Sequence, residues 1–235
     1  MTCIGTAGWN IPARYKNDFP ADGSHLARYA ARLRAVEINS SFYRPHKRTT
    51  YERWAASVPP DFRFSVKLPR TITHDHRLKD YGDLLGKFLL EVSGLGEKLG
   101  ILLAQLPPSL AFETETANAF FRALSGSGAA IACEPRHASW FTKQAEDTLQ
   151  KRGIARVAAD PPRGPGDGEP GGDTHTAYFR LHGSPEIYRS DYSRDALRAI
   201  ATRLRAQDWC IFDNTAAFHA LGNALSLDDI LRRGR

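Results

Sequence analysis

The stretch VEINSSFYRP, residues 36–45, begins as a β-strand and continues into a polar, aromatic loop. Val36 and Ile38 are typical of a buried strand, whereas Glu37 and Asn39 share the opposite face because side chains alternate along a strand. A buried carboxylate is costly unless it is paired or used in chemistry. The stretch therefore predicts a strand whose polar face forms part of a composite site.

Short apolar strands alternate with amphipathic helices along all 235 residues. The pattern predicts strands at residues 3–8, 35–39, 62–67, 99–105, 129–133, 154–159, 177–181 and 209–212. Helical spacing predicts helices at residues 26–34, 49–58, 83–97, 115–124, 143–152, 194–205 and 216–231. This order is typical of an α/β fold, a (β/α)₈ TIM-like barrel, here as a single domain over residues 1–235. A doubly wound open sheet is the alternative, but the sequence lacks the glycine-rich phosphate loop of its nucleotide-binding form.

One segment breaks the alternation. PPRGPGDGEPGGDTH, residues 161–175, is rich in glycine and proline and has no apolar side chain beyond proline. Such a composition predicts a flexible loop. Because strands and helices resume after it, the segment is interpreted as a loop within the domain and not as a linker between domains.

The composition is that of an ordinary globular protein, with 42% hydrophobic and 25% charged residues. No apolar run approaches the ~18 residues needed to span a membrane, so no membrane partner is expected. The first strand begins at Cys3, which leaves no room for a signal peptide. Cys3, Cys133 and Cys210 lie in apolar strands without CxxC spacing, which predicts reduced cysteines and a cytoplasmic protein.

Polar residues concentrate near the carboxyl ends of the predicted strands. They are Glu37, Asn39, Lys67, Gln105, Glu134, Arg180, His182, Asp213 and Asn214. In a TIM-like barrel the active site lies at that end, so these residues are expected to converge on one pocket. Glu37 then has two candidate partners, Lys67 and Arg180. Internal ion pairs that only fill the barrel are the alternative interpretation.

The loops after the strands carry basic and aromatic side chains. Arg136, His137, Arg180 and His182 are candidates to bind phosphate or carboxylate. Candidates to stack on a sugar or a base are Trp9, Phe42, Tyr43, Trp140 and Tyr188, with core packing favoured for Phe42. A net charge of +6 permits a polyanionic partner, although spread-out arginines are also typical of solvated helix faces.

A divalent metal is a further hypothesis. His74 and His76 flank Asp75, and several nitrogen and oxygen groups are expected at the pocket, namely Glu37, Glu134, His137, His182 and Asp213. No HExxH motif fixes a ligand set, and the basic side chains disfavour a cation. No metal ligand is therefore assigned, and His74 is grouped with the ligand-binding residues.

Seven stretches together resemble the YecE-like family of unknown function. They are GTAGW (5–9), VEINSSFYRP (36–45), RFSVKLPRTITHDHRL (63–78), LLAQLPPS (102–109), EPRHASWF (134–141), YFRLHGS (178–184) and FDNTA (212–216). They occur in the expected order and span nearly the whole chain. The resemblance implies a TIM-barrel-like fold and carries no established reaction or cofactor.

The leading functional hypothesis is an enzyme-like pocket for a phosphorylated or otherwise anionic, sugar-containing ligand. Its catalytic candidates are Glu37, Lys67, Glu134 and His182, with the two carboxylates as general acid and base. Its ligand-binding candidates are Asn39, Tyr43, His74, Gln105, Arg136, His137, Trp140, Arg180, Asp213 and Asn214. A non-catalytic nucleic-acid-binding protein and a divalent-metal-dependent hydrolase or isomerase are the alternatives.

Overall fold

The computed structural model describes residues 2–162, 164 and 166–234. The strands are β1 (Cys3–Thr6), β2 (Ala35–Ile38), β3 (Arg63–Lys67), β4 (Leu99–Gln105), β5 (Ala130–Glu134), β6 (Ile154–Arg156), β7 (Ala158–Asp160), β8 (Gly171–Gly172), β9 (Tyr178–Leu181) and β10 (Trp209–Phe212). The helices are α1 (His25–Ala30), α2 (Arg48–Ala56), α3 (Gly82–Val92), α4 (Thr114–Ser125), α5 (Lys143–Lys151), α6 (Arg194–Arg203) and α7 (Ala220–Arg233). The predicted alternation of strands and helices is confirmed.

The strands close into a barrel. One sheet has the order β1-β10-β9-β7 and the other the order β2-β3-β4-β5-β6-β8. A parallel bridge between Ala7 and Glu37 joins β1 to β2. The two sheets also join between β6 and β7, which are separated only by Val157. The Val157 N–H donates to Cys133 O at 2.9 Å. The closed, mostly parallel arrangement confirms the TIM-like barrel and excludes the open sheet.

Alternate side chains of each strand separate two cores. The outer core, between strands and helices, contains Phe64, Cys133 and Phe179. The barrel interior contains Ala35, Ile101, Leu103, Ala132, Ala155, Val157, Tyr178, Trp209 and Ile211. Cys133 therefore lies between strand and helix, as the alternation of side chains along β5 requires. At the base, the Trp209 ring stacks on Tyr178, with centroids 6.1 Å apart. Apolar packing at the base leaves the opposite end for polar side chains.

Glycine allows β1 and β2 to approach each other at the seam. A Cβ at Gly5 would lie 2.1 Å from the carbonyl oxygen of Ala35. No side chain fits at that distance, so the contact requires glycine. Gly5, the first residue of the motif GTAGW, is therefore required for barrel closure.

The segment predicted as a flexible loop takes the place of the helix that would follow the sixth barrel strand. Between β7 and β9, the described residues form the short strand β8, which pairs antiparallel with β6. Arg156 Nη1 donates to Gly166 O at 2.7 Å, and Ala159 N–H donates to Asp167 O at 2.9 Å. Residues 163 and 165 of the predicted loop lie outside the described residues. The described part is held against the barrel.

Helix α1 ends at Ala30, four residues before the predicted end, and two other helices differ from the prediction for an evident backbone reason. The predicted helix 83–97 ends as α-helix at Val92 and continues as a 3₁₀ turn, Ser93–Lys98, in which Gly96 has φ of 53°. The predicted helix 216–231 begins only at Ala220, because Phe218 has φ of 62° and cannot continue a right-handed helix. Both differences arise from local backbone conformations that amphipathic spacing does not report.

Candidate functional site

The carboxyl ends of β2, β5, β9 and β10 bring charged side chains into direct contact in the barrel mouth. Arg180 is the centre of this cluster and is fully buried. Its Nε and Nη2 donate to the two Glu37 oxygens at 2.9 and 2.7 Å, and its Nη1 donates to Glu134 Oε2 at 3.0 Å. Nη2 also lies 3.0 Å from Asp213 Oδ2. These contacts use four of the five guanidinium N–H groups, and the side chain is fully buried, so the predicted anion-binding role of Arg180 is not supported.

Glu37 is held from below as well as by Arg180. The Tyr178 hydroxyl donates to Glu37 Oε2 at 2.9 Å and shares a hydrogen bond of 2.9 Å with Ser65 Oγ. Glu37 is fully buried, and both of its oxygens are engaged. It therefore neutralises Arg180 and is poorly placed for proton transfer to a ligand. The predicted partner Lys67 makes no ion pair with it within 4.0 Å.

A second carboxylate, Glu134, joins the cluster to an imidazole. His182 Nε2 lies 2.8 Å from Glu134 Oε1, and His182 Nδ1 lies 3.1 Å from Asp213 Oδ2. Arg136 Nη2 contacts Glu134 Oε1 and lies 3.0 Å from His182 Nε2. The imidazole is thus fixed between two carboxylates, with Arg136 against its Nε2. This arrangement suits acid–base chemistry.

The electrostatics keep both carboxylates ionised. Burial alone would raise the pKa of Glu134, but Arg180, Arg136 and His182 hold it well below its usual range. Burial likewise opposes ionisation of Asp213, and Arg180 with His182 lowers its pKa overall. At Glu134 and Asp213, the attraction of the nearby cations therefore outweighs the effect of burial on the pKa.

Lys67 takes no part in the ion pairs of this cluster. The side chain is 5% exposed at the end of β3, and its Nζ lies 4.1 Å from the centroid of the Phe42 ring. Among the described residues, no carboxylate lies within 4.0 Å of this amine. Burial, and then repulsion by Arg180, lowers the pKa of Lys67 to about 8, although nearby carboxylates act in the opposite direction.

The loops after β2 and β3 form one side of the mouth. The His74 ring packs edge-on against Phe42 with centroids 5.0 Å apart, and its Nδ1 lies 2.8 Å from Thr73 Oγ1. Burial, Lys67 and Arg70 lower the pKa of His74. Tyr43 projects outwards and is 76% exposed, so it lies at the rim and not inside the mouth. Phe42 itself is buried, as the core-packing interpretation expected.

Three amides lie near the carboxyl ends of their strands. Gln105 Nε2 donates to Glu134 Oε2 at 2.9 Å. Asn214 Nδ2 donates to Ser190 O at 2.9 Å. Asn39 Oδ1 and Asn214 Oδ1 are buried, and neither has a hydrogen-bond donor among the residues that the structure describes. Both oxygens are enclosed by protein, so neither is open to a ligand in this conformation.

Two loop residues lie outside the cluster. Trp140 is only 1% exposed, and its indole N–H donates to Leu110 O at 2.9 Å. Its ring has no free face for a ligand, so the predicted stacking role is not supported. His137 Nδ1 accepts a hydrogen bond from the Ser139 N–H at 3.2 Å, and the same nitrogen lies 2.8 Å from the Ser139 hydroxyl. His137 thereby caps a 3₁₀ turn. Both residues shape the loop after β5.

Tyr178 and Ser65 are not among the predicted site residues, although strand alternation places both on the inward faces that carry Arg180 and Lys67. Their position beneath Glu37 follows from that alternation. Tyr188 was only one of several aromatic candidates, but the structure places its ring edge-on to His182, with centroids 5.7 Å apart. Its φ of 68° is unusual outside glycine and marks a constrained loop conformation at the mouth.

The described residues form neither a cluster of metal ligands nor a membrane-spanning helix. Among the described residues, no three or more histidine, cysteine, aspartate or glutamate side chains are arranged to hold a metal ion. His74 and His76 flank Asp75 in the chain, but the Asp75 carboxylate pairs with Arg70 at 3.2 Å. Within the described part of the chain, no helix is long and apolar enough to cross a membrane.

Comparisons with known proteins place the chain in a family. Residues 3–235 match the family described as "Protein of unknown function DUF72". The UPF0759 protein YecE of Escherichia coli (strain K12) is 31% identical over 166 residues, which cover 68% of this chain and 59% of that protein. The chain thus matches about three fifths of the length of this curated relative.

Solved structures of the same family share the fold. A DUF72 family protein from Thermotoga maritima has a TM-score of 0.78 and 27% identity, with 99% of each chain covered. One from Enterococcus faecalis has a TM-score of 0.80 and 20% identity, covering 99% of this chain and 96% of that chain. The chain therefore belongs to the DUF72 family, which includes the YecE-like proteins that its motifs resemble.

Proposed function

We propose that the barrel mouth binds a small anionic ligand, a phosphorylated or otherwise acidic sugar derivative, and acts on it as an enzyme. The observation that carries this proposal is Lys67, a buried cation with no carboxylate within 4.0 Å among the described residues. Buried charges in proteins are normally paired. An amine kept free of the nearby carboxylates is available to a ligand anion.

The neighbouring groups support chemistry as well as binding. Glu134, His182 and Asp213 form a continuous hydrogen-bonded series in which a proton can be taken up and returned. Arg180 and Glu37 lie beneath this series and fix its geometry. These two residues are therefore proposed to position the reacting groups, in place of the direct roles that the sequence suggested.

Aromatic and cationic side chains at the mouth support a charged sugar ligand. Tyr188, beside His182, and Tyr43, at the rim, offer ring faces to a sugar. The Arg136 side chain, 5% exposed and paired with Glu134, adds a second cation to the mouth.

Calorimetry with ribitol 5-phosphate, ribose 5-phosphate and ribose tests the proposal. The two phosphates should bind at least about tenfold more tightly than ribose, and Lys67→Met should remove that preference. Lys98→Met is the matched control, because Lys98 is also a partly buried lysine but donates to the carbonyls of Ala55 and Val58, both at 2.6 Å. Equal binding of all three compounds, or the same loss in both variants, would overturn the proposal.

A further inference from the structure

The amine of Lys67 has the surroundings of a nucleophile. It lies against the Phe42 ring and has no hydrogen-bond partner among the described residues. The nitrogen is nevertheless not fully enclosed by protein, so it retains an opening to solvent. Lysines that form covalent intermediates are held in apolar surroundings or near other cations. Lys67 meets both conditions, because Phe42 borders it and Arg180 lies in the same mouth.

From this geometry we infer that Lys67 forms a Schiff base with a small aldehyde or ketone that carries an anionic group. The inference rests on the proposed function, because it assigns a covalent step to the same site. The ligand class becomes narrower: an anionic sugar derivative in its open-chain, carbonyl form.

The step balances without a further reactant. The neutral Nζ attacks the carbonyl carbon, a C–N bond forms, and the carbonyl oxygen becomes a hydroxyl after a proton moves to it from nitrogen. The second nitrogen proton then passes to the hydroxyl, which leaves as water with the electrons of the C–O bond, and a C=N bond remains. Hydrolysis of the imine later consumes one water molecule and restores the free amine and a carbonyl compound.

His74 is placed to move these protons. Its ring and the Lys67 amine lie against the same Phe42 ring, at 5.0 Å between centroids and 4.1 Å from Nζ. Its Nδ1 is engaged by Thr73, whereas Nε2 has no hydrogen-bond partner among the described residues. A neutral imidazole can accept a proton from the attacking nitrogen and then, as imidazolium, give it to the leaving hydroxyl.

The protonation state of Lys67 supports the step. With a pKa lowered to about 8 by burial and by Arg180, a substantial fraction of the amine is neutral near pH 7. That fraction is about one tenth, against less than about one thousandth for an ordinary lysine. Exposed lysines of this chain therefore serve as internal references for reactivity.

Reductive trapping tests the inference. The protein is incubated with ribose 5-phosphate and cyanoborohydride near pH 7, and the modified lysines are identified by peptide mass spectrometry. Modification at Lys67 is expected to be at least about tenfold faster than at Lys98 or at exposed Lys16. Ribitol 5-phosphate has no carbonyl; it should bind, compete with trapping and give no adduct.

The variants separate the covalent step from binding. Lys67→Arg keeps a cation but cannot form an imine, so it should still bind ribitol 5-phosphate while the adduct at position 67 is lost. If that variant does not fold, the site of modification in the unchanged protein decides alone. Tight binding of both phosphates without preferential modification at Lys67 overturns the Schiff base and leaves the proposed function standing. Preferential modification by ribose as strong as by ribose 5-phosphate supports the imine and overturns the anionic ligand.

Discussion

Arg180 and Lys67 share the barrel mouth, but Arg180 contacts three carboxylates while Lys67 contacts none within 4.0 Å among the described residues. The buried carboxylates thus make close ion pairs with Arg180, whereas they attract Lys67 only over longer distances. Pairing of Arg180 serves the stability of the fold. An unpaired Lys67 works against stability, which is the usual sign of a group retained for function.

Replacing Lys67 by methionine should therefore stabilise the protein at pH 7. Its pKa falls from 10.5 to about 8 on folding, so the unfolded chain binds more protons between these values. The free energy of unfolding consequently rises with pH from about 8 to about 10.5, and below pH 8 the full cost of the buried charge is present. That cost is about 3 kcal/mol at most. Urea unfolding at pH 7 and pH 10 should show a more stable Lys67→Met variant without this rise.

The matched variant Lys98→Met should change stability in the opposite direction. Lys98 Nζ donates to two carbonyl oxygens, and its loss leaves both without that donor. A cost of about 1–2 kcal/mol is expected. If Lys67→Met were instead the more destabilised of the two, Lys67 would be a structural residue.

Substituting Arg180 by methionine should destabilise the fold strongly. Glu37, Glu134 and Asp213 would then face one another in a buried site without their shared cation. Breaking a buried ion pair by removing one partner costs about 3–5 kcal/mol.

Adding Glu37→Gln to Arg180→Met should recover part of this loss, because one uncompensated charge disappears. Arg34→Met, which breaks an exposed pair with Asp61, should cost less than about 1 kcal/mol. Similar losses for Arg180→Met and Arg34→Met in urea would contradict the assigned pairing.

The sequence predicted the barrel and most members of the mouth because both follow from strand alternation. Glu37, Lys67, Glu134 and Arg180 lie where the period of two places them. It did not predict their pairing, because the Arg180 guanidinium reaches one strand or another depending on side-chain rotamers and barrel curvature. Trp140 was misjudged for a related reason: a tryptophan in a loop can turn into the core when a carbonyl such as that of Leu110 accepts its N–H.

Acid should unfold the protein partly through Glu134. Its folded pKa is held well below its ordinary value of 4.5, mainly by Arg180 and Arg136 acting against the effect of burial. The unfolded chain therefore binds more protons as the pH falls below about 4.5, and the stability that this carboxylate contributes at neutral pH is lost. Glu134→Gln should be less stable at pH 7 but should show a shallower loss between pH 6 and pH 3. Parallel stability curves of the two proteins over that range would show that Glu134 does not titrate as inferred.

Barrel closure at the β1–β2 seam should depend on Gly5. A methyl group there would lie 2.1 Å from Ala35 O, so the two strands would have to separate and the Ala7–Glu37 bridge beside the site would weaken. Overpacking of this kind typically costs about 1–3 kcal/mol.

Gly86→Ala is the control, because Gly86 is exposed within α3 and a Cβ there meets nothing within 4 Å. Alanine at that helical position should stabilise the protein by about 0.5–1 kcal/mol. Thermal unfolding of both variants should give opposite shifts in Tm, and a Gly5→Ala protein as stable as the parent would show that the seam can open without loss.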